Sequence, residues 1–128
     1  MKKRFKKLYL MIMTSLAFMF FSTTYVSATI RGFNGSAGYS YARVSERNVK
    51  TDKNGIAWVN WTGSSTSSHK MWFQVVNNED ANRGKSLLSY KSEKLFSTSA
   101  TYNYGYWLRA SREHLFNPSV NVNGTWEP

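Results

Sequence analysis

Residues able to do acid–base or nucleophilic work are few. His69 and His114 are the only histidines, and cysteine is absent. Seven carboxylates follow residue 28: Glu46, Asp52, Glu79, Asp80, Glu93, Glu113 and Glu127. A Ser-His-acid triad needs a nucleophile on a sharp turn, a base beside it and an acid that orients the base. Serines are many, but none stands in a Gly-x-Ser-x-Gly elbow. A metal site needs three or four ligands with supporting partners. Glu113 and His114 are adjacent, so on a strand they face opposite ways. Sugar hydrolysis needs two carboxylates across one bond, whereas Glu79-Asp80 share one turn and the other acids are scattered. No glycine loop has the spacing that cradles phosphate. We expect no enzyme, no catalytic residue, no metal and no cofactor. The alternative within catalysis is a small wall-polymer hydrolase, for which Glu113 and His114 are the best-placed pair.

The aromatic and basic residues are more suggestive. Tyr102, Tyr104 and Tyr106 alternate, and on an unbroken strand they share one face with Leu108 and Ala110. Arg109 and Arg112 follow in the same segment. Exposed tyrosines beside cations offer stacking faces and positive charge to a polysaccharide, an anionic polymer or a lipid headgroup layer. Tyr102, Tyr104, Tyr106, Arg109 and Arg112 are therefore the candidate binding residues. Trp58, Trp61, Trp72, Trp107 and Trp126 are assigned mostly to the core, because a small domain without disulfides depends on large buried rings.

The elements that must position these residues are strands. Apolar residues alternate at period two, and Gly, Asn, Ser and Thr punctuate the chain. The pattern predicts strands at Gly38 to Ser45, Ile56 to Thr62, Lys70 to Val76, Thr101 to Ser111 and Val120 to Trp126, with an edge strand at Leu95 to Ser99. Ser86 to Tyr90 is a short apolar segment of either type. Asp52-Lys53-Asn54-Gly55 reads as a turn, since Asn-Gly readily takes positive φ. The strands at 56–62 and 70–76, joined by the loop Gly63 to Ser68, are expected to pair as an antiparallel hairpin. Asn117-Pro118 marks a further turn. The fold class expected is all-β, a small antiparallel β-sandwich or barrel of about six to seven strands.

The N-terminus has a different composition. Lys2, Lys3, Arg4, Lys6 and Lys7 precede an apolar run, Leu8 to Phe21, and a polar stretch ending in Val26-Ser27-Ala28. That is the order of a secretory signal, with small residues for the peptidase and cleavage after Ala28. The run would form a helix of about 21 Å, short of the roughly 30 Å hydrocarbon layer. The expected organisation is a signal peptide at 1–28, a flexible leader at 29–37 and a single β domain at 38–128. Net charge is +10 over 128 residues. From Thr29 onward twelve Lys and Arg face seven Asp and Glu, a net +5. A basic exported domain meets anionic wall polymers and anionic lipids first, so a cell-wall polymer or a membrane surface is the expected partner. Nucleic acid is not expected, since no pattern of a nucleic-acid fold is present.

The ending Val122-Asn123-Gly124-Thr125-Trp126-Glu127-Pro128, behind a lysine-rich leader and an Asn/Ser/Tyr-rich domain, resembles small secreted Gram-positive β-proteins of unassigned role. The layout is also similar to the lactococcin-type bacteriocins, which are exported, basic, cysteine-free β-sandwiches acting on neighbouring cells. The resemblance implies a secreted, non-enzymatic protein that interacts with the cell envelope and is bacteriocin-like. The alternative outside catalysis is an extracellular self-assembling protein, because the flat Ser/Thr/Tyr segment 95–106 encodes little register.

Overall fold

The computed structural model describes residues 29–64, 69–114 and 119–128. The expected signal peptide and the Asn117-Pro118 turn lie outside the described residues. Nine strands are present among them: β1 (Arg31–Ala37), β2 (Ala42–Arg43), β3 (Asn48–Val49), β4 (Ile56–Ser64), β5 (Met71–Val76), β6 (Asn82–Leu88), β7 (Glu93–Ser97), β8 (Gly105–Arg112) and β9 (Val120–Glu127). They form two antiparallel sheets packed as a β-sandwich. One is four-stranded in the order β1-β9-β4-β7; the other runs β2-β8-β5-β6, with β3 also pairing β8.

Alternation decides which residues face inward. In β4, Ala57, Val59 and Trp61 are buried; in β5, Met71, Phe73 and Val75; in β8, Tyr106, Leu108 and Ala110; in β9, Val122 and Trp126. These residues meet in a core that draws on both sheets. Phe73 sits at its centre, with Phe33 edge-on at 5.6 Å and Trp61 at 5.7 Å. Such aromatic contacts each add roughly 0.5–1.5 kcal/mol beyond the area buried.

Three expectations need correction. The supposed flexible leader is strand β1, paired along its length from Arg31↔Trp126 to Ala37↔Val120. Phe33 and Ala37 point into the core and hold it there. The supposed first strand, 38–45, contributes only the two residues of β2. The expected hairpin of β4 with β5 does not form, because the two belong to different sheets. Each carries a complete apolar face, and the faces meet across the core rather than lying side by side. With the short strands β2 and β3 added, the count exceeds six to seven.

The seams between the sheets are closed by backbone bonds. Asn34 N–H donates to the Val44 carbonyl at 2.9 Å on one side, and Ser99 N–H donates to the Arg83 carbonyl at 2.7 Å on the other. One end is fastened by Lys50, whose side chain is fully buried. Its ammonium lies 2.9 Å from Asp52 and donates to the carbonyls of Pro128 at 2.7 Å and Ile56 at 3.1 Å. A buried ammonium without such partners would cost several kcal/mol.

Candidate functional site

The outer face of the five-stranded sheet carries the most distinctive chemistry. Cross-strand register sets Arg43 opposite Arg109, Arg109 opposite Gln74, and Gln74 opposite Lys85. This makes a row across four strands in which three positions are cationic. Parallel rows hold Trp72 opposite Ser111, and Trp107 opposite Val76. Each cation of the central row lies over an aromatic ring. The Arg43 guanidinium is 4.5 Å from the Trp107 centroid, Lys85 Nζ is 4.8 Å from Trp72, and the Arg109 guanidinium is 5.3 Å from Tyr41. At an exposed surface each contact contributes about 0.5–1 kcal/mol.

The β5–β6 turn steadies this face. Asp80 takes positive φ (58°) in the turn. It accepts from Arg43 Nε at 2.8 Å and stands 3.9 Å from Arg109. Arg43 also donates to the Asn78 carbonyl at 3.1 Å. The turn is thereby drawn over the sheet near Val76, which is fully buried yet separate from the central core. Exposed ion pairs add little stability, so their effect here is to keep two guanidiniums over the rings.

Beside the row is an open groove of about 340 Å³, lined by Tyr39, Tyr41, Trp72, Lys85, Ser111 and Glu113, among others. Burial pushes the Tyr41 phenol up, against a hydrogen bond to Ser111 and the Arg109 charge, which lower it. Tyr41 is therefore a neutral phenol throughout the physiological range. The groove combines three aromatic rings, serine and tyrosine hydroxyls, the Lys85 ammonium, the Arg112 guanidinium and the Glu113 carboxylate. Rings of this kind stack on the apolar faces of sugars, while the cations attract carboxylate or phosphate substituents.

The residues expected from sequence fall in three places. Arg109 lies in the row just described. Tyr102 and Tyr104 are exposed at 45% and 64%, but they sit in the turn before β8. Tyr106 is buried in the core, where its hydroxyl accepts from Thr101 N–H at 2.6 Å. The single-faced tyrosine stripe does not exist, because Asn103 takes positive φ (67°) and breaks the strand before Gly105. Arg112 continues the inward series of Tyr106, Leu108 and Ala110 and is 1% exposed. Burial lowers its pKa, and among the described residues none of its side-chain nitrogens has a hydrogen-bond partner. It is almost wholly buried, yet it lines the groove with Trp72 and Glu113.

Tyr41, Arg43, Trp72, Lys85 and Trp107 were missed. The signal for two of them was present: Trp72 alternates against Met71 and Phe73, and Trp107 against Tyr106 and Leu108. A tryptophan on the polar side of a strand is the mark of a ring on the outer face, and both rings are half-buried there. Glu113 and His114 lie at the end of β8, 3.6 Å apart, with the imidazole side chain 68% exposed. Among the described residues, no group of three or more potential ligands is placed to hold a metal.

No protein-family model matches the chain, and no curated protein matches it in sequence. Among solved structures, the crystal structure of a Yersinia pseudotuberculosis-derived mitogen (YPM) is similar in shape. The TM-score is 0.47 at 10% sequence identity, and the match covers 78% of this chain and 86% of that one.

Proposed function

We propose that this chain is an exported, non-enzymatic β-sandwich protein that binds an anionic glycopolymer of the bacterial cell envelope through the outer face of its five-stranded sheet. The observation that carries the reading is the set of three cation–aromatic pairs on one face, next to an open groove with aromatic walls. The net +5 of residues 29–128 supports attraction to an anionic polymer. The order of residues 1–28 supports export with cleavage after Ala28, and export without cysteine supports a Gram-positive source. The layout shared with lactococcin-type bacteriocins extends the reading to action on neighbouring cells.

The test uses residues 29–128, which contain every described strand and the whole core. Co-sedimentation with purified Gram-positive walls should show binding that weakens at high salt. The double variant Trp72→Ala/Lys85→Glu should bind at least about tenfold more weakly, the equivalent of losing roughly 1.4 kcal/mol. Unchanged binding by that variant, or no binding at either salt, would overturn the reading.

A second reading, wall-polymer hydrolysis, is favoured by one observation: Glu113 lines the groove. Release of soluble wall fragments by the wild type, abolished in E113Q/H114A, would select it.

A further inference from the structure

Large apolar side chains left exposed are unevenly distributed over the molecule. Among the described residues they are Ile30, Tyr39, Ile56, Leu95, Tyr102 and Tyr104. Tyr39 belongs to the aromatic groove. The other five gather around the opposite end of the sandwich, where β1, β4 and β8 begin and β7 and β9 finish.

Register and hydrogen bonds establish that gathering. Ile56 is opposite Ser97, and Leu95, two residues earlier on the same face, is opposite Trp58. Trp58 is in turn opposite Glu127. Ile30 stands one step beyond the Arg31↔Trp126 pair, beside Glu127. Tyr102 and Tyr104 are brought in by the 101–104 turn, which is bonded both ways to Lys50: Lys50 N–H donates to the Tyr104 carbonyl at 3.0 Å, and Asn103 N–H to the Lys50 carbonyl at 2.8 Å. Lys50 Nζ reaches the Ile56 carbonyl at 3.1 Å, so turn and strand share one corner.

Cations surround these side chains. Arg31 and Lys53 are exposed, with Lys53 Nζ 5.5 Å from the Tyr102 ring. Arg47 is exposed and lies against Gly105 at the start of β8. The two acids at this end lie beside Lys50: Asp52 pairs with it at 2.9 Å, and Glu127 stands near Asp52 and Lys50; Glu93, at the start of β7, accepts from Trp58 Nε1 at 3.1 Å.

We propose that this end docks on an anionic lipid bilayer, with Ile30, Ile56 and Leu95 entering the acyl boundary, the two tyrosines at headgroup level, and Arg31, Arg47 and Lys53 on the phosphates. The combination of aliphatic tips, tyrosines and basic side chains is that of an interfacial anchor. The patch is built from strand ends and a turn rather than from one flat sheet face. A fluid bilayer tolerates such relief, whereas a second copy of the chain would need a complementary shape. The point of chain entry agrees. Thr29, whose carbonyl accepts from Asn48 Nδ2 at 2.8 Å, is at this end, and only the seven residues 22–28 separate it from the apolar run that ends at Phe21. While those residues remain attached, this end is the one tethered nearest the membrane.

The proposal is independent of polymer binding at the groove, and one set of variants separates them. Residues 29–128 should float with vesicles of phosphatidylglycerol and phosphatidylcholine, and less with phosphatidylcholine alone. The triple variant Ile56→Ser/Leu95→Ser/Tyr104→Ser, altered only at exposed positions, should keep its circular dichroism and its binding to walls. Its flotation should fall at least about tenfold, because partial burial of three apolar side chains is lost. Trp72→Ala should float like the wild type. Brominated lipid should quench the Trp58 emission of the wild type, and Trp58→Phe should remove that quenching. Absence of wild-type flotation, undiminished flotation of the triple variant, or quenching unaffected by Trp58→Phe would each overturn the proposal.

Discussion

Glu127 stands close to both Asp52 and Lys50. Burial pushes its carboxyl above the ordinary value of 4.5; the Asp52 charge and a hydrogen bond with Asp52 raise it further, and Lys50 opposes. The folded chain thus holds this proton more tightly than the unfolded chain. For such a group stability is highest at acid pH and falls as pH rises from the unfolded value through the folded one. Glu127→Gln, neutral throughout, should be more stable than the wild type at neutral pH and should lose that advantage below about pH 4. Urea melts at a series of pH values measure this, and parallel curves for the two proteins would refute it. At this scale the candidate site was partly legible in the sequence. Arg109 was recognisable as an outward-facing residue because it alternates with apolar neighbours. Alternation left open whether Tyr102 and Tyr104 face in or out; they are exposed, in a turn rather than on a strand face. Alternation gives the relative sides of residues only while a strand is unbroken, and a single left-handed residue, Asn103, ends that inference. Arg112 follows the inward series of β8 against the preference of its charge for water, so its burial was not legible, although it lines the groove.

Strands β4, β5, β8 and β9 were recognisable from their alternation. Their partners were not. β4 and β5 are consecutive and joined by a polar loop, which suits a hairpin as well as a crossing between sheets; only the requirement that both apolar faces be covered distinguishes the two. β1 was hidden because Gly32, Asn34, Gly35 and Ser36 resemble a linker. Glycine has a different role in β9. Gly124 is opposite both Phe33 and Trp61, and a methyl group there would overlap the Asn60 carbonyl oxygen and crowd the Phe33 ring. Gly124→Ala should therefore destabilise the domain by about 2–3 kcal/mol, the cost of overpacking a filled site. It should lower the urea midpoint without changing the slope. A wild-type midpoint would mean that β9 has room this packing does not show.

Viewed whole, the sandwich has one core drawing on both sheets and no disulfide. Neither sheet covers its apolar face without the other. Tryptophan emission and far-ultraviolet circular dichroism should therefore report a single coincident unfolding transition; two separated transitions would show the sheets to be independent. The molecule is also polarised along its strands. β8 has eight residues, which at roughly 3.3 Å each gives a length of about 26 Å. The aromatic groove lies at its finish and the apolar corner at its start. The pairing of β1 with β9 has a temporal consequence. β9 is an inner strand, bonded to β1 on one side and β4 on the other. A chain made from its N-terminus lacks that strand until residues 120–127 have emerged from the ribosome, and all earlier intermediates leave β1 and β4 without their shared neighbour. Closure of the sandwich therefore waits on β9. Until it emerges, β1 and β4 are loose threads of one seam that only the later segment can sew.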